Sequence, residues 1–302
     1  IAQGGVGIFG ENSVVDFSVD TSSSTEAIGV VAKGTSLISG NIITGEGSVG
    51  VYAVDNSVVF NGANIITGAN TTGAVPKTSV GVLLKAAGTY TMDNVSVNAK
   101  NGVGIYLEDS TQAKTLTYSG SVTTENGIGI YVTGGNTITT ETAAININGG
   151  TGVYINGGTA NLGTTSNTLA INFLENGGIG IYNKGGVLNL GSNITVTGAG
   201  SLAATLNGSL NSAGNITVGD GGAGLYGTYD SDTTTTQEVA SFGTITAQNG
   251  GIGLAATKGA TTPTGTVTVK NTGTINVAGK SNATNSPSVA IYTDIANIEN
   301  TG

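Results

Sequence analysis

Short runs in which aliphatic residues alternate with small or polar ones follow one another along the whole chain. One run recurs as a recognisable phrase: a small residue, an aliphatic, Gly, an aliphatic, and often Tyr. Clear copies are Gly5-Val6-Gly7-Ile8-Phe9, Ser48-Val49-Gly50-Val51-Tyr52, Gly102-Val103-Gly104-Ile105-Tyr106 and Gly127-Ile128-Gly129-Ile130-Tyr131. Others are Gly178-Ile179-Gly180-Ile181-Tyr182, Gly222-Ala223-Gly224-Leu225-Tyr226 and Gly251-Ile252-Gly253-Leu254-Ala255. With looser copies the phrase is centred on residues 7, 29, 50, 81, 104, 129, 152, 180, 203, 224, 253 and 290. Successive centres lie 21 to 37 residues apart. Between copies stand two further alternating runs rich in Val, Ile and Thr, as in Val187-Leu188-Asn189-Leu190 followed by Ile194-Thr195-Val196. Period 2 bounded by Gly and Asn reads as strand. No helical period persists over 11 residues.

Three short strands and three turns in each unit of about 21 to 25 residues describe one rung of a solenoid. A single rung cannot bury its apolar face. Rungs stacked ~4.8 Å apart pair every amide with a neighbour and close a continuous aliphatic core. The expected fold is therefore all-β: a right-handed parallel β-helix of about 12 rungs, a rod of about 60 Å. An antiparallel sandwich has no reason to repeat one phrase twelve times. Asn-Gly and Gly-Gly corners supply the positive φ of tight turns. The longer gaps predict loops near 68–79, 229–238, 260–265 and 279–288. Pro76, Pro263 and Pro287 all fall in such gaps, as expected of a residue that cannot donate to a ladder. The reading is of one β-helical segment over residues 1–302. Neither end reads as a polar cap, so an internal piece of a longer protein is expected.

Composition narrows the chemistry. Of 302 residues, 52 are Gly, 18 are Asp or Glu and 9 are basic. All nine basic residues are Lys; Arg, His, Cys and Trp are absent. That removes disulfides, Cys/His metal sites and His-based nucleophilic catalysis. A net charge of −9 disfavours nucleic acid and anionic membrane surfaces. No apolar run is long enough to span a bilayer as a helix. Carboxylates are spread along the chain without the clustering that a polysaccharide lyase or hydrolase needs, so no enzyme activity, catalytic residue or cofactor is expected. Asp230 and Asp232 are weak candidates for Ca²⁺, against the plainer reading of a solvated loop tip. The G-x-G-x-x-G matches at Gly5–Gly10 and Gly222–Gly227 are the repeat itself, not a dinucleotide site.

Alternation within Ile128-Gly129-Ile130-Tyr131-Val132 assigns the aliphatics to the core, and Gly129 and Tyr131 to the surface. Stacking then builds an outward row: Phe9, Val31, Tyr52, Leu83, Tyr106, Tyr131, Tyr154, Tyr182, Thr205, Tyr226, Ala255 and Tyr292. Seven of the ten tyrosines lie in it, beside a row of bare Gly. Two compatible readings are open. The row is a structural aromatic ladder. Alternatively Tyr52, Tyr106, Tyr131, Tyr154, Tyr182 and Tyr226 form a ligand-binding strip, with the glycines as a shallow groove.

The repeated G-[IV]-G-[IV]-Y phrase, the Thr/Asn-rich strands and phrases such as Asn271-Thr272-Gly273-Thr274-Ile275-Asn276-Val277 resemble passenger domains of type V autotransporters. The lack of Cys, Arg and Trp is similar to the large fusobacterial outer-membrane adhesins. The resemblance covers all 302 residues and is more specific for architecture than for family. It implies a passenger displayed on the bacterial cell surface, anchored by an outer-membrane barrel outside this sequence. It implies partners such as a host glycan or protein receptor, or other bacteria, with lateral self-association as a further expectation. It transfers no binding residue, because the repeat is scaffold. The alternative is a spacer rod that displays a distal tip.

Overall fold

A computed structural model describes the chain except for residues 1–2, 56, 69–77, 109–112, 164–167, 176, 193, 198–199, 220 and 279–286. Most of the expected 68–79 and 279–288 loops lie outside the described residues. All regular structure among the described residues is β-strand.

The strands wind into a three-faced solenoid. The first face begins with Val6–Glu11, Ile28–Lys33, Val49–Ala53, Val80–Leu84 and Val103–Leu107, and ends with Ala223–Tyr229, Ile252–Lys258 and Val289–Thr293. Each strand pairs parallel with its counterpart one rung away, as in Ile105↔Ile130 and Ile130↔Val153. Among the described residues twelve strands stack on this face, one for each copy of the phrase. The second face runs from Val14–Val15 to Asn297–Asn300, and the third from Val19–Thr21 to Thr274–Val277.

The expectation of three short strands per rung fails in the middle of the rod. Gly88–Lys100, Lys114–Thr133 and Thr137–Asn156 are 13, 20 and 20 residues long. Each pairs continuously around its corners, with one register irregularity at Met92/Val95 and another at Tyr118/Gly120. Where successive rungs match in length, the ladder has no reason to break at the bends.

The core is a column of aliphatics. Val30, Val51, Val82, Ile105, Ile130, Val153, Ile181, Leu225 and Leu254 are fully buried along the first face. Ile38, Phe60, Leu116, Ile138 and Leu188 fill in from the second, and Ile42, Ile65, Val97, Val122 and Ile145 from the third. The corner leading into the first face is built on left-handed residues such as Asn101 (φ 49°) and Asn126 (φ 54°), as the Asn-Gly pairs predict.

Two expectations about faces are corrected. The glycines of the phrase do not lie on the surface. A β-carbon on Gly50 would sit 2.5 Å from the carbonyl oxygen of Gly81 and 2.6 Å from Cγ2 of Ile65; one on Gly129 would meet the Gly152 oxygen at 2.5 Å and Val122 Cγ1 at 3.1 Å. Gly and the aliphatic after it both face inward, because the chain turns there and the third face closes on it. In these rungs a β-carbon would collide with the backbone of the next rung, so Gly is the residue that fits without a shift. The second correction is at rung 201–206. Pairing is Ile181↔Ala203 and Tyr182↔Ala204, so Ala204, not Thr205, stands in the tyrosine row. Leu202 is fully buried in the place that Gly takes elsewhere, and Thr205 turns inward with it. A one-residue shift exchanges faces, and burial of Leu202 decides the register.

Candidate functional site

The outward row of the first face now reads Phe9, Val31, Tyr52, Leu83, Tyr106, Tyr131, Tyr154, Tyr182, Ala204, Tyr226, Ala255 and Tyr292. Four of the six candidate tyrosines come together in one uninterrupted stack. Ring centroids of Tyr106 and Tyr131 are 5.2 Å apart, those of Tyr131 and Tyr154 5.0 Å, and those of Tyr154 and Tyr182 5.3 Å. Planes differ by 11°, 35° and 5°. These spacings follow the ~4.8 Å strand repeat, so register alone imposes the stack. Tyr52 is separated from it by Leu83, and Tyr226 by Ala204. The Tyr226 hydroxyl is 2.8 Å from Oγ1 of Thr257.

Stacking fixes what the strip presents. Inner rings cover one another's faces, leaving edges and hydroxyls toward solvent. Burial raises the Tyr154 hydroxyl pKa, with smaller contributions from the flanking Tyr131 and Tyr182; burial alone raises that of Tyr182. Asn156 Nδ2 donates to the Tyr131 hydroxyl at 3.4 Å. On one side of the row stand half-buried aliphatics such as Val49, Val80, Ile128 and Ile179, in place of the expected Gly groove. On the other side Lys85 and Glu108 pair between rungs, and the Lys85 ammonium also interacts with Tyr52 and Tyr106.

Asp230 and Asp232 occupy the loop after Ala223–Tyr229. Asp230 Oδ1 accepts from the Asp232 amide (3.0 Å) and from Asn207 Nδ2 (2.7 Å). The Asp230 amide returns a bond to Asn207 Oδ1 (3.0 Å). The carboxylate thus shapes a turn. Among the described residues no three acidic side chains gather to hold a metal ion. This loop and the one near 260–265 stack on each other: Ser231 donates its amide to Thr261 Oγ1 (2.8 Å), and Gly265 donates to the Thr233 carbonyl (2.7 Å).

Sequence reasoning missed two concave surfaces. One, of about 710 Å³, crosses the corner between the second and third faces and brings Asp93 and Glu141 into one lining; Ser119 Oγ donates to Asp93 Oδ1 at 2.6 Å. The other runs along the second face around Asn161, Asn189 and Asn211. Their residues come from rungs more than 20 positions apart, so local patterns do not announce them. The one available signal was the recurrence of Asn or Thr in the second run of six successive units, at offsets of 8 to 13 residues from the phrase centre.

The fold defines a parallel β-helix protein. A family model described as a right-handed β-helix region matches residues 1–145, and the same rung geometry continues to Asn300. The chain is a right-handed parallel β-helix. Comparison with curated proteins and with solved structures gives no match.

Proposed function

We propose that the chain is a recognition segment of a bacterial surface adhesin, of the autotransporter passenger type, and that it acts by binding rather than catalysis. The observation that carries this reading is the four-tyrosine stack at Tyr106, Tyr131, Tyr154 and Tyr182, bordered by half-buried aliphatics. A long surface of aromatic edges and hydroxyls beside apolar side chains offers both dispersion contact and hydrogen bonds. Such amphipathic aromatic rows are the residues that dominate interfaces. The partner in this reading is a host glycan or protein receptor, or the surface of another bacterium, met outside the cell. A chain without Cys suits export through a periplasm and a narrow barrel.

One observation favours the spacer alternative. The ring faces of the inner tyrosines are spent on each other, and ladder stability by itself accounts for such a stack. Binding of the purified chain to an immobilised glycan panel and to cultured epithelial cells separates the two. A variant with Tyr106, Tyr131 and Tyr154 changed to Ser, with its β-sheet circular dichroism intact, serves as comparison. Saturable binding that this variant loses is the expected result. No saturable binding by either protein leaves the rod as spacer.

A further inference from the structure

We propose that the second face carries a separate binding groove for an uncharged, polyhydroxylated chain, laid along the rod axis. This site does not depend on the tyrosine strip, which lies on the first face.

Register places two outward rows on the second face. One reads Thr91, Thr117, Thr139, Asn161, Asn189, Asn211 over six consecutive rungs. The other begins Thr89, Thr115, Thr137, Thr159, Val187. Neither row contains a charge over those rungs. The upper half of this surface is concave. Cavities of about 510 and 260 Å³ share Asn189 and Asn211, and the second meets a third of about 420 Å³ through Ser209 and Gln237. Together they form one trough from Thr139 to Glu299, six rung steps or ~29 Å.

The lining selects its occupant by chemistry. Asn189 Nδ2 donates to Asn161 Oδ1 at 2.8 Å, and Asn161 Nδ2 donates to Thr139 Oγ1 at 3.4 Å. Such a ladder orients Asn161 and Asn189 and consumes one donor or acceptor per contact; Asn211 continues the row, with its Oδ1 buried and without a hydrogen bond. An amide has two N–H donors and a two-lone-pair carbonyl, so capacity remains toward the trough. Ordered groups that both donate and accept match hydroxyls, which do the same. Val187 and Phe242 are 54% and 48% exposed at the margins and offer apolar contact to the C–H faces of sugar rings. An anionic chain is disfavoured. Lys270 is the single cation of the linings and already lies 3.6 Å from Glu238 and 4.0 Å from Glu299, in a chain of charge −9. An extended peptide is disfavoured because a sheet face offers no free backbone edge to pair with. A sugar residue and a rung advance by comparable distances, so Asn161, Asn189 and Asn211 repeat in step with a linear neutral glycan, and beyond them the row continues as Ala240, Lys270 and Glu299.

Calorimetric titration of the full chain with neutral (1→4)-linked hexose oligomers of increasing length tests this, with oligogalacturonides as the anionic control. Affinity is expected to rise with each added unit to about six and then level off, since the trough spans about six rungs. Asn189→Ala combined with Asn211→Ala is expected to weaken binding about tenfold, the loss of roughly one good hydrogen-bond pair. Val187→Lys, at an exposed position, is expected to do the same by obstructing the trough. The triple tyrosine variant should bind these oligomers normally, which separates this claim from the adhesin reading. The proposal is overturned if no neutral oligomer binds. Affinity that ignores chain length, preference for the anionic oligomers, or undiminished binding by the folded Val187→Lys chain would also overturn it.

Discussion

Ten tyrosines divide into two populations by which way alternation points them. Seven stand in the outward row, and Tyr90, Tyr118 and Tyr229 are fully buried. Each buried hydroxyl donates to a carbonyl: Tyr90 to Ala86 (3.0 Å), Tyr118 to Val95 (2.9 Å) and Tyr229 to Gly208 (3.0 Å). Burial disfavours the phenolate, so Tyr90 is pushed up to about 12 and the other two upward as well. In the unfolded chain these groups ionise near pH 10. Above that pH the unfolded state holds fewer protons than the folded one, so folding stability falls as pH rises. The full contribution is present below about pH 10, and for Tyr90 it is lost progressively between about 10 and 12. Urea unfolding followed across that range should show a midpoint that drops with pH. Tyr90→Phe should shallow the drop, and an unchanged slope in that variant would count against this assignment. The burial of Tyr90 was legible, since it sits between Thr89 and Thr91 in strict alternation. That of Tyr229 was equally legible, since alternation from the core Leu225 through Tyr226, Gly227 and Thr228 turns it inward, where its ring packs over Gly227.

At the scale of the strand and its corner, the repeated Gly is the informative element. Alternation treats a strand as flat, and on that assumption the Gly of each phrase points outward with Tyr. The strand bends there instead, and the position is the tightest in the rung. Gly129→Ala should therefore destabilise the chain by about 1–3 kcal/mol, the range for forcing extra volume into a packed site. Ala at Gly135, where φ is not in the left-handed region and an added β-carbon meets only Ala113 Cβ at 3.9 Å, should avoid that clash and cost little. Denaturant midpoints of the two variants check the contrast, and equal tolerance of both substitutions would return the Gly row to the surface. Rung count and strand order were legible because one phrase repeats. The register of rung 201–206 was not, because Ser201-Leu202-Ala203-Ala204 lacks the Gly that marks phase, and only the burial of Leu202 settles it.

For the whole molecule, the surface is organised in rows. A tyrosine strip and an amide trough exist only because equivalent residues of successive rungs stand one above another, which no single segment of sequence can display. That is why architecture was readable from the chain, whereas the Asp93–Glu141 groove and the second-face trough were not. Lys33 and Asn156 are exposed positions of one row of the first face, five rungs apart. The chain has no Cys, so Lys33→Cys and Asn156→Cys can be spin-labelled without background. The measurement is their distance by pulsed electron resonance. Rows in register predict a single narrow distribution centred on about 24 Å of backbone separation, widened only by the label linkers. A broad or multimodal distribution, or a mean displaced by a rung or more, would contradict the stacking on which both surfaces depend.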